Sequence, residues 1–134
     1  MWIFLEGGRF LSIAADPADA QKLRVYARLP GDLEVDFPDA EILEVPADST
    51  LPGQYRFQTI LPREQVMQAI AHELEDLSYP IFRKTICNAN RVLAAARCDD
   101  VMRQAQESAR EGMDQDSACE RPAEERPAEE IPYK

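Results

Sequence analysis

A chain of 134 residues with 45% hydrophobic content can bury one core of ordinary size. Its formal net charge of −10 argues against general affinity for DNA, RNA or anionic membranes, because phosphate neutralisation needs Lys and Arg. No stretch approaches the roughly 18 apolar residues of a membrane span, so no membrane partner is expected.

The first predicted element is a hairpin. Met1–Leu5 reads as a strand, Gly7 and Gly8 supply a tight turn, and Arg9–Ala14 returns. Asp16 then reads as the N-cap of a short helix, with Pro17 in its first turn and Asp19 at the positive end of its dipole. Residues 23–29 alternate clearly. Leu23, Val25, Ala27 and Leu29 point one way, and Arg24, Tyr26 and Arg28 the other. Pro30 and Gly31 break that strand. Leu33 and Phe37 lie four apart, which suits one helical turn before Pro38. Ile42–Val45 is a fourth short strand, 46–53 a loop, and 54–61 alternates again.

Helical periodicity follows. Pro62 and Glu64 open a helix whose apolar stripe is Val66, Ile70, Leu74 and Leu77. Tyr79 and Pro80 end it. A second helix is expected from Ile81 or Phe82 to about Arg97, burying Ile86, Ala89, Leu93 and Ala96. A third, capped by Asp99 or Asp100, runs through Glu111 with Gly112 as its stop. Strands followed by helices predict an α+β fold: an antiparallel sheet of four to five strands with C-terminal helices packed on one face. The domain is expected to cover 1–112, with a helical extension over about 82–112. Residues 113–134 hold two Glu-Arg-Pro-Ala-Glu pentads, 120–124 and 125–129, which read as a disordered acidic tail, a solubilising terminus or else a docking peptide.

Cys87, Cys98 and Cys119 are odd in number and unpatterned, and Met1–Leu5 meets Glu6 without a basic leader. Reduced thiols and a cytoplasmic location are the expectation.

Charge is uneven along the chain. Residues 1–50 carry ten acids against four bases, residues 51–113 eight of each, and residues 114–134 seven against three. Asp32, Glu34, Asp36, Asp39, Glu41 and Glu44 fall in one run with no base among them. That density builds a negative surface rather than a catalytic pocket, and these six are the candidate residues for docking a protein with a basic surface. Strand side chains alternate, so the six cannot all share one plane. A secondary candidate surface is Arg24, Tyr26, Arg28 and Arg56, a sheet face on which RNA or single-stranded DNA bases could stack, or an ordinary solvent-facing one. Arg83, Lys84, Arg91, Arg97, Arg103 and Arg110 decorate the C-terminal helices among matching acids, a mixed helical surface.

Catalytic signatures are sparse. The one histidine, His72, shares a helix face with Asp76, but the second His of a zinc-protease helix is missing. No Cys pair has two-residue spacing, and Gly7 and Gly8 lie between strands rather than before a helix, so no metal, phosphate cradle or cofactor is implied. Cys87 and Cys98 stand eleven apart, which suits small-residue packing better than nucleophilic catalysis. An enzyme with an unrecognised site near His72, Glu75 and Asp76 is the alternative to a non-catalytic binding module.

Three segments carry a resemblance: Met1 to Phe4 with Phe10 and Ser12, Tyr55 to Phe57 with Pro62 to Glu64, and Tyr79, Pro80 and Phe82. Together they resemble a family of short bacterial proteins with phage relatives. Those proteins open Met-Trp-(Ile/Leu)-Phe and close on Asp-Tyr-Pro-Asn-Phe-Lys. Ile81 departs from the usual Asn, and the match ends near Cys87. The family has no established activity, so the resemblance implies a domain boundary and no reaction. With the acidic run, it implies an inhibitor of a host nucleic-acid-handling or defence complex that acts by charge mimicry.

Overall fold

The computed structural model describes residues 1–111, which form an antiparallel sheet with helices, an α+β fold. The expected tail, Cys119 and the Gly112 stop lie outside the described residues. The chain divides into two compact units, 1–96 and 97–134.

Five strands make the sheet of the first unit: β1 (Trp2–Leu5), β2 (Arg9–Ala15), β3 (Lys22–Ala27), β4 (Leu43–Glu44) and β5 (Phe57–Pro62). Their spatial order is β1-β2-β3-β5-β4, every neighbouring pair antiparallel. Pairing Ile13 with Val25 and Val25 with Thr59 puts the alternating apolar residues of three strands on one face. That face buries Leu5, Leu11, Ile13, Val25, Ala27, Phe57 and Leu61. Leu33 and Phe37 close over it from the segment between β3 and β4, and each contributes on the order of 1.5–3 kcal/mol by leaving water. The Phe37 N–H donates to the Leu33 carbonyl, which is the expected single helical turn.

The hairpin turn is three residues long, Glu6–Gly8, and both glycines hold positive φ, +83° and +84°. Gly8 is also a close approach: a Cβ there would stand 3.1 Å from both Arg91 Cβ and Ile86 Cγ2. The Gly7 N–H donates to Thr85 Oγ1 at 2.9 Å, which ties a 3₁₀ turn at Phe82–Thr85 to the hairpin.

Three helical expectations are corrected. Residues 16–21 are turns, not a helix, because Asp16 and Asp19 accept N–H bonds from Ala18 and Gln21, two residues on. The helix α1 (Arg63–Glu75) packs on the core through Val66 and, partly, Ala69 and Ile70, whereas Leu74 is 65% exposed and Leu77 lies beyond the helix end. In the last turn the inward position belongs to Glu73, which reaches Arg9 on β2, so Leu74 turns to water. The helix expected from residue 82 starts later and does not break at Asp99: α2 runs unbroken over Ala89–Arg110. Its N-terminus is capped by Asn88, whose Oδ1 accepts the Asn90 and Arg91 N–H groups. Ile86 and Ala95 are buried as its approach and anchor, while Ala89 and Leu93 are exposed.

Candidate binding face

The acidic run does not form one surface. Asp32 is 1% exposed. Its two oxygens accept from Arg91 at 2.7 and 3.1 Å, and the second also accepts the Phe10 N–H at 3.2 Å. The β2–β3 ladder ends at Ser12 and Tyr26, so Phe10 has no strand partner on that side and the carboxylate takes that place. Arg91 spends a third bond on the Gly8 carbonyl. This acid is part of the fold, and the expectation that it faces a partner is corrected.

Asp36 is corrected likewise. It lies in a half-enclosed cluster where Arg9 reaches Asp36 at 2.5 Å and Glu73 at 2.6 Å. Burial pushes the Asp36 carboxyl up to about 7, helped by a hydrogen bond to Glu73 and opposed by Arg9. Glu73 moves the other way, lowered first by that hydrogen bond with Asp36 and then by Arg9, against its own burial. A proton in this cluster therefore favours Asp36 over Glu73. Sequence reading did not find Arg9 or Glu73, because the three residues meet only through the packing of β2, the 32–37 turn and α1.

Glu34, Asp39, Glu41 and Glu44 remain exposed. Glu41 and Glu44 flank Leu43 on the two-residue edge strand β4, and Glu44 pairs with Arg56 at 2.9 Å. Leu43 is itself exposed. It pairs in register with Gln58, so it shares the outer sheet face with exposed Ile60.

That outer face is the part the sequence reading missed. The register sets Trp2, Phe4, Phe10, Tyr26, Leu43 and Ile60 on the side of the sheet away from the core. Trp2, 76% exposed, meets Phe10 edge-on at 6.3 Å, Phe10 meets Phe4 at 4.9 Å, and Phe4 meets Phe82 at 5.8 Å. At Phe82, which also meets Tyr79 at 6.3 Å, a neighbouring segment joins the row. The signal was present in the sequence: Met1–Leu5 is apolar at consecutive positions and Phe10 is followed by Leu11, so both faces of these strands carry apolar groups.

The four residues of the basic candidate surface are engaged within the chain. Tyr26 stacks on Tyr55 at 5.1 Å, and the Arg28 guanidinium lies 4.0 Å from the Tyr55 ring centre. Arg24 faces Asp16 at 3.4 Å, and Arg56 meets Glu44. His72 faces Glu75 at 3.4 Å on the exposed side of α1. Cys87 and Cys98 are free and exposed. Among the described residues no three His, Cys, Asp or Glu side chains gather in a way that could hold a metal ion, and no helix is long and apolar enough to cross a membrane.

Compared with protein-family models, with curated proteins and with solved structures, the chain finds no match in any of the three.

Proposed function

We propose that this protein is a non-catalytic binding module that docks a protein partner through the outer face of its sheet. The observation that carries this reading is the face itself. Trp2, Leu43 and Ile60 stand in water on a sheet side that carries aromatic residues from β1, β2 and β3. Large exposed apolar groups gathered on one face mark an interaction site more often than a solvated surface. Asp39 and Glu41 supply an acidic margin beside the β4 edge, so the partner is apolar at its centre and carries Lys or Arg at its rim.

A protein that ordinarily receives nucleic acid has both properties, since such grooves combine Lys and Arg with flat stacking groups. Inhibition of a host nucleic-acid-handling or defence complex by charge mimicry is the specific form of this proposal. It rests on the exposed acids. Direct binding of RNA or single-stranded DNA is less well supported, because Arg24 and Arg56 are neutralised by Asp16 and Glu44.

The test is affinity capture from bacterial lysate with three baits: the wild type, Trp2→Ala/Ile60→Glu, and Asp39→Lys/Glu41→Lys. All four sites are exposed, so each bait keeps its melting temperature. A protein held by the wild type, lost by the apolar variant and released by salt fits the proposal. Equal capture by all three baits, or capture of nucleic acid alone, refutes it.

A further inference from the structure

The second unit offers a different surface. Every described residue from Arg97 to Glu111 is exposed, although α2 is helical through Arg110 and the Glu111 N–H still donates to the Glu107 carbonyl at 3.2 Å. A helical stretch of this length with nothing buried is marginal in water. Its two sides are unlike. Asp99, Asp100 and Arg103 form one face and pair among themselves, Arg103 reaching Asp99 at 3.4 Å and also Asp100. The opposite face carries Cys98, Val101, Ala105 and Ser108 at steps of three, four and three, the spacing of a coiled-coil seam. Val101 and Met102 on that side are 62% and 67% exposed.

The charges bordering the seam indicate what covers it. Arg97 lies on its margin at one end and Glu111 on the same margin at the other. Among the described residues neither has an ion-pair partner. An antiparallel copy that sets Val101 against the partner's Ala105 also sets Cys98 against the partner's Ser108. It brings Met102 to the two-fold axis against the partner's Met102. The same arrangement puts Arg97 beside the partner's Glu111, and Glu111 beside the partner's Arg97. A parallel pairing would place Arg97 near the partner's Met102 and leave both charges without a mate. Small residues at three of the four seam positions let the axes approach toward the short end of helix–helix distances, about 8 Å.

We propose that residues 97–111 pair antiparallel with the same segment of a second copy of this chain, closed at each end by an Arg97–Glu111 ion pair. The seam is about three turns long, so the interface is small and the association weak and concentration-dependent. This proposal is independent of the sheet-face reading, since no residue of one surface belongs to the other.

Sedimentation equilibrium of the full chain, from about 10 µM to about 1 mM, tests it in the range where interfaces this small associate. The wild type is expected to shift from monomer to dimer mass. Val101→Asp and Arg97→Glu are each expected to remain monomeric, and the exchange Arg97→Glu/Glu111→Arg to restore the dimer. Orientation is read by crosslinking. With Cys87→Ser and Cys119→Ser in place, adding Ser108→Cys is expected to give an oxidised covalent dimer, and Cys98 alone is not. Monomer mass throughout, failure of the charge exchange to restore association, or efficient Cys98-to-Cys98 crosslinking without Ser108→Cys would each overturn the proposal. Cys87, Arg97, Val101, Ser108 and Glu111 are exposed, and far-UV circular dichroism checks that each variant keeps its helix.

Discussion

Replacing Asp32 by Ala is the sharpest test of how the acidic run is divided between fold and surface. The carboxylate is buried, accepts two bonds from Arg91 and caps the Phe10 N–H. Truncation leaves the Arg91 guanidinium, itself mostly buried, facing a void, and leaves the Phe10 N–H without its acceptor. Breaking one side of a buried pair costs about 3–5 kcal/mol, because the remaining charge stays desolvated. A domain of this size has about 5–15 kcal/mol in all, so this single change removes about a fifth of it or more. Arg91→Met/Asp32→Leu, which removes both charges and keeps the volume, is expected to cost less than the sum of the two single changes. The assay is urea unfolding at 25 °C followed by far-UV circular dichroism, with Glu41→Ala as the exposed control whose midpoint does not move. An Asp32→Ala midpoint equal to the control's would refute the reasoning and return this acid to the docking surface.

Asp36 makes stability depend on pH in an unusual direction. Its carboxyl keeps its proton to about 7 in the folded chain, against an ordinary value of 3.8. Between those values the folded state binds the extra proton, so this contribution is full below about pH 4 and is lost as pH rises through 7. The shift spans roughly three units, a ceiling of about 4 kcal/mol, and sharing the proton with Glu73 brings the expected loss to about 1–3 kcal/mol. Asp36→Asn is expected to flatten that slope between about pH 4 and 7, and an unchanged slope would count against the shared proton. Glu73 acts in the opposite sense, its contribution being lost as pH falls through its lowered value. Leu74→Ala is expected to change stability by no more than about 0.5 kcal/mol, as for a surface site, while Val66→Ala costs about 1–3 kcal/mol; the two unfolding midpoints decide whether α1 is seated as described.

Much of the sheet is legible in the sequence. The alternation of Leu23, Val25 and Ala27 against Arg24 and Tyr26, and of Phe57, Thr59 and Leu61 against Gln58 and Ile60, needs only the two-residue period of a strand to be read. Gly7 and Gly8 announce the hairpin, because only glycine takes positive φ there without strain. Where local rules compete, the reading fails. Asp16 and Asp19 suit a helix cap, yet they suit side-chain turns as well, and the antiparallel return into β3 leaves no room for a helix. Leu74 and Leu77 continue the spacing of Val66 and Ile70, but periodicity does not say that Arg9 draws Glu73 inward in the last turn or that the helix ends at Glu75.

Composition and spacing alone determined that this chain is acidic, that it lacks paired metal or redox cysteines, and that strands precede helices. Only tertiary structure decided which charges are free. Asp32 and Glu34 differ little as letters, but one is locked under Arg91 and the other is in water. Arg9, Asp36 and Glu73 share protons and charge across 64 residues of chain. The physical reason is the same in each case: secondary structure follows from neighbours a few residues away, whereas the fate of a charge depends on whichever distant group the packing brings within 3 Å of it.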